Sequence, residues 1–191
     1  MRRVPGRAVL AIAVVACLWP WSPPPARPSG PLVERLVGPF ASLAASVEWV
    51  RSNAALDEGR FEHAYARAER ALELDPGAPQ GWIFFSHHLI FDRASALNER
   101  RADERRRWIS SGIDLLRRGE SASRDPGEVA FSRGLAWSWV AQIDEATGLQ
   151  WPGGAEAALR EAIAALEAAD GHGRAGAAAL AHALRHRIEG D

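Results

Sequence analysis

Residues 53–76 read NAALDEGRFEHAYARAERALELDP, and this stretch decides the fold class. Phe61, Ala64, Ala68, Ala71 and Leu72 recur at steps of three and four, which puts them on one face of a helix. Gly59 interrupts the chain just before that stripe and Asp75-Pro76-Gly77 ends it, so the spacing predicts a helix over 61–74. Much of the stripe is alanine, the strongest helix former and small enough to let a second helix come close.

The same pattern extends in both directions. No stretch beyond Pro39 keeps a period of two for long, while Ile109, Gly112, Leu116 and Gly119 form a second helical stripe. Further stops stand at Asp125-Pro126-Gly127 and at Trp151-Pro152-Gly153-Gly154. Helices are expected near 40–57, 61–74, 79–92, 104–119, 127–144, 154–169 and 173–188, an all-α chain. With 191 residues, 47% hydrophobic and 25% charged, the composition is that of one globular domain with a tail. The 23 basic and 24 acidic side chains leave a net charge of −1, which removes the electrostatic case for a nucleic-acid binder. Every basic residue is Arg, so neither a Schiff-base lysine nor a phosphate-cradling lysine exists. A single cysteine excludes a disulfide scaffold and a multi-thiolate metal site.

The amino terminus has a different character. Arg2, Arg3 and Arg7 precede an uncharged apolar run over 8–19, the pattern of a secretory signal. The run is shorter than the roughly 20 residues that span a bilayer. Trp19 and Trp21 stand where interfacial aromatics stop a short spanning helix, so an uncleaved anchor is the alternative. Cys17, in Val14-Val15-Ala16-Cys17, loosely matches a lipoprotein box and is the candidate lipidation site; the plain alternative is a small apolar residue in an apolar run. Six prolines between positions 20 and 31 make an extended spacer. The expected organisation is a signal or anchor over 1–19, a Pro-rich linker over 20–38 and a helical domain over 39–190. That domain would face the periplasm or cell exterior of a bacterial inner membrane.

Internal repetition supplies a packing rule for the helices. Asp-Pro-Gly occurs at Asp75 and again at Asp125, 50 positions apart, and Trp82 follows the first copy. Gly59, Phe61, Ala64, Ala71, Pro76, Trp82 and Leu89 fall on positions that resemble the tetratricopeptide repeat. The match is specific over 48–91 and looser beyond. The family period is about 34 residues, and the segment 92–107 accounts for the surplus as an insertion between two helices. Gly112 and Gly119 replace family alanines. The resemblance implies a right-handed stack of antiparallel helix pairs, about three pairs plus a C-terminal capping helix, preceded by a short hydrophobic N-terminal helix.

It also implies a concave groove lined by the first helix of each pair. Counted from Pro76 and Pro126, that groove would hold Trp49, Asn53, His87, Arg133 and Trp137, residue types that anchor partners. Trp49 and Phe84 stand where the carboxylate-clamp subset of the family carries Lys and a second Asn, which argues against recognition of a chaperone tail. The expected work is binding of a protein or peptide by an adaptor or assembly factor, with no cofactor, no metal and no catalysis. The rival is an enzyme or metal protein built on the C-terminal histidines. His182 and His186 lie at i and i+4 on one helix face, but two imidazoles alone do not close a zinc site. A domain with a purely structural role is the third possibility. The arginines of 100–107, interleaved with Asp103 and Glu104, read as a solvated ion-pair network.

Overall fold

A computed structural model describes residues 32–189, with side chains from residue 40 onward. The chain divides into Met1–Val37 and Gly38–Asp191, and the features below belong to the second unit. The signal or anchor segment, Cys17 and residues 20–31 of the expected linker lie outside the described residues, while residues 32–38 of that linker are the start of a helix.

Among the described residues the protein is all-α, with no strand. Helix α1 covers Leu32–Asp57, α2 Phe61–Leu74 and α3 Pro79–His87, which runs directly into a π-helical turn over His88–Arg93. Then follow α4 over Ala102–Ala122, α5 over Pro126–Thr147, α6 over Gly154–Gly171 and α7 over Ala177–Glu189. The helices stand where the Gly and Pro punctuation puts them. At the start of α5, Pro126 occupies the first turn, where its missing N–H costs nothing, and the Asp125 carboxylate accepts the Glu128 N–H at 3.0 Å. At its end the left-handed Gly148 donates its N–H to the Asp144 carbonyl.

Three boundaries differ from expectation, the first being α1, which begins at Leu32 rather than near 40. Helix α7 starts at Ala177 rather than near 173, because Gly173 and Gly176 both take positive φ and hold the link to α6 open. The expected helix over 79–92 changes to the wider hydrogen-bond pattern at His88, with the Ala94 N–H reaching back five residues to Leu89.

The main core lies among α3, α4, α5 and α6, where Ile90, Ile109, Leu116, Val129, Val140 and Leu166 are fully buried. Glycine sets the distance between these helices. A Cβ on Gly112 would lie 2.5 Å from Cγ1 of Ile90 and 3.0 Å from the Ser86 carbonyl. A Cβ on Gly119 would stand 2.6 Å from Trp82, and one on Gly134 would stand 2.6 Å from Leu166. These contacts offset the roughly 1 kcal/mol that each mid-helix glycine costs relative to alanine. Trp82 is buried against Gly119 and donates its indole N–H to the Pro76 carbonyl at 2.8 Å, tying α3 to the turn before it.

The α1–α2 pair is held differently. Ala45, Ser52 and Ala55 of α1 and Ala64, Ala68 and Ala71 of α2 are buried, and the Ser52 hydroxyl donates to the Ala64 carbonyl at 2.8 Å. Beside them Glu48 accepts hydrogen bonds from Arg67 at 2.8 Å and Arg51 at 3.1 Å. The Arg67 hydrogen bond, reinforced by both guanidinium charges, outweighs the desolvation of Glu48 and holds its carboxyl below the usual carboxylate range. Asp75 joins three elements, accepting from Ser42 at 2.6 Å and from Arg124 at 2.9 Å.

The arginine run is only partly the solvated network expected of it. Arg101 and Arg107 pair with Glu104 at 3.0 and 2.7 Å, as surface ions do. Arg105, by contrast, is buried and donates from Nε to the Ala94 carbonyl at 2.8 Å, closing the 94–101 connection. Arg106 donates to the Leu149 carbonyl at 2.8 Å and so ties α4 to the link between α5 and α6.

Candidate functional site

Two adjoining cavities, of 270 and 490 Å³, run along the junction of α1 and α3 and share Asn53 and Phe84. Trp49, Gln80 and Gly81 line the first; Leu56, Asp57, Phe61, His88 and Asp92 line the second. Trp49 and Phe84 meet edge to face, with centroids 5.6 Å apart and planes at 84°. Gly81 makes room for this, since a Cβ there would stand 3.0 Å from the Trp49 ring. Phe84 keeps nearly half its surface exposed and Asn53 is exposed, so the depression has an aromatic wall and a polar rim.

The π-helical turn forms its far end. His88 Nδ1 lies 3.0 Å from the Asp92 carboxylate, and Arg93 stacks its guanidinium over Phe61 at 4.5 Å and over Trp108 at 5.1 Å. Behind them Tyr65 touches the rings of His88, Phe85 and Trp108. The Tyr65 hydroxyl, His88 Nε2 and Arg93 Nε are all buried without a hydrogen-bond partner. Burial pushes the Tyr65 phenol above its ordinary value, opposed by the Arg93 charge and aided by that of Asp92. Wide turns of this kind recur at functional sites.

Of the five residues expected in one groove, the structure brings Trp49 and Asn53 together and separates the others. His87 turns toward α5, with Nε2 2.8 Å from the Ser132 hydroxyl and its ring against Phe91, and burial pushes its pKa down. The neighbouring His88 lines the cavity instead. Arg133 is paired through two nitrogens with Glu120 of α4. Trp137 is 6% exposed, stacks edge to face on Trp151 at 5.4 Å, and lines a 260 Å³ cavity with residues of α4 and α6. At the same count from Pro76 and Pro126, His87 and Trp137 both turn inward against later parts of the chain, so the count selected packed positions. The sequence reading missed Tyr65, His88 and Arg93 as one cluster; only His88 falls in the aromatic run Phe84-Phe85-Ser86-His87-His88, and the other two carry no shared signal.

On α7, His182 and His186 set their Nε2 atoms 3.0 Å apart on an exposed face. Among the described residues no third His, Cys, Asp or Glu joins them in a metal-binding group. No helix among the described residues is long and apolar enough to cross a membrane. No protein-family model, curated protein or solved structure matches the chain.

Proposed function

We propose that this chain is an interaction module, tethered to or exported across a bacterial inner membrane, that docks a peptide segment of a partner protein between α1 and α3. In this view the helices form a tetratricopeptide-like right-handed stack of three antiparallel pairs closed by α7. The observation that carries the proposal is the solvent-open Trp49–Phe84 wall with Asn53 beside it. Aromatic side chains in a concavity anchor apolar residues of a partner, and the Asn amide offers both a donor and an acceptor to a peptide backbone. Asp57 and Asp92 give the far cavity an acidic edge, so the fitting ligand carries an apolar anchor followed by a basic residue.

A displayed random-peptide library, panned against the wild-type chain, tests this. Selected peptides should lose about tenfold or more in affinity on Phe84→Ala or Asn53→Ala, the scale of a buried anchor contact. Peptides that bind both variants as well as wild type would remove the depression from consideration. The location has its own test. A reporter active only outside the cytoplasm, fused after Asp191, should give signal, and a cytoplasm-only reporter should not. Cys17→Ser separates a lipoprotein, which would leave the membrane, from an anchored chain, which would stay.

A further inference from the structure

Helix α1 carries four of its larger apolar side chains on the outside, apart from Trp49 and Leu56, which are partly buried. Its buried positions are Ala45, Glu48, Ser52 and Ala55, while Phe40, Leu43, Val47 and Val50 are 71%, 58%, 42% and 69% exposed. The exposed four are spaced three, four and three apart, and Ala54, also exposed, adds the next step of four. In the sequence the same alternation runs back through Leu36 and Val33. Alternating steps of three and four give the 3.5-residue period of a helix that packs knobs into holes along another helix. A lone amphipathic helix on a globular surface instead presents a wider apolar stripe to its own core and polar residues to water.

We propose that this seam pairs with the same seam on a second copy of the chain. The flanking positions Ala44, Ser46, Arg51 and Asn53 are exposed and carry one charge among them, so no row of like charges opposes self-pairing. The four large side chains expose on the order of 400 Å², about half of what each partner gives to a standard interface. An isologous contact of that size is a weak dimer in dilute solution, and tethering to a shared surface would raise its occupancy by concentration alone. The seam borders the depression at Asn53, but none of Phe40, Leu43, Val47 and Val50 lines it.

Cross-linking of the full-length chain tests the pairing. Leu43→Cys, Val47→Cys and Val50→Cys are made singly in a Cys17→Ser background, with Glu69→Cys on the exposed face of α2 as control. Mild oxidation should convert at least one seam variant largely to a disulfide dimer and leave the control monomeric. Adding Val47→Glu to Val50→Cys should cut the dimer about tenfold, because it buries an unpaired charge in the seam. Failure of all three seam thiols to cross-link overturns the proposal. If those thiols also resist maleimide, residues 1–31 or lipid cover the face in place of a second copy.

Discussion

Helices α1 and α5 use their faces in opposite ways. In α5 the large residues Val129, Trp137 and Val140 turn inward, and glycine at 134 lets α6 close on them. In α1 the buried positions are alanine, serine and a paired glutamate, Trp49 packs partly buried against α3, and Phe40, Leu43, Val47 and Val50 turn out. Helix α5 packs against α3, α4 and α6, so most of its circumference has a neighbour. The polar ties of α1 reach α2 and the Asp75 turn, and its aromatic contact reaches α3. Apolar bulk is thus matched to neighbours in α5 and exceeds them in α1. The body is held by contact at glycines, the edge by hydrogen bonds and ions.

That contrast is tested most severely at Trp137. Trp137→Ala should destabilise the fold by about 3–5 kcal/mol in urea unfolding, as truncation of a core aromatic does. Val50→Ala should stay within about 0.5 kcal/mol, as a surface position. Similar costs for the two would erase the distinction between α5 and α1. Gly112→Val comes next, at about 1–3 kcal/mol of overpacking against Ile90 and the Ser86 carbonyl, visible as a lower melting temperature. Arg105→Ala should cost about 1–3 kcal/mol, since it strips a charged hydrogen bond from a buried carbonyl, whereas Arg107→Ala should fall within surface noise of about 0.5 kcal/mol.

The two regions also differ in their response to pH. Burial lowers the pKa of His87 in the folded state, so below about 6.5 the unfolded chain takes up a proton that the folded chain refuses. The contribution of neutral His87 is therefore present above that value and is lost as pH falls toward the folded pKa; His87→Gln should flatten the slope. Glu48, whose folded pKa is lowered, contributes above about 4.5 and loses that contribution as pH falls further, so wild type and Glu48→Gln should converge in strong acid. Urea titrations at a series of pH values read both. The smallest effect on stability belongs to Phe84→Ala, expected within about 0.5 kcal/mol while peptide capture is lost.

Much of the fold was legible because its punctuation is chemical. Gly59, Pro76, Pro126 and Gly153 cannot continue a helix cheaply, and the helices end or begin beside each of them. The close approaches at Gly112 and Gly119 were legible too, because a glycine on an apolar stripe has few other uses. The packing of His87, Arg133 and Trp137 was not, since a count along one helix does not say which neighbour a side chain meets. Nor was the burial of Arg105, because its partner is a backbone carbonyl 11 residues earlier, and a carbonyl has no residue identity to read. The edge cavities sit between: Trp49 and Asn53 were found by resemblance, His88 and Arg93 only by the shape of the turn that carries them.

That turn also stores slack. A π-helical turn takes in one residue more than an α-helix would over the same length, and the helix on either side keeps its place. Loss of one residue within His88–Arg93 can therefore be absorbed by closing to ordinary α geometry, with Ile90 or its successor still meeting Gly112. The same loss midway along α5 has no such reserve and would turn every following side chain by about 100°. The turn is thus a place among the described residues where the length can change by one residue and leave the body intact, and it lies at the far end of the α1–α3 cavities, where His88 and Asp92 line the wall.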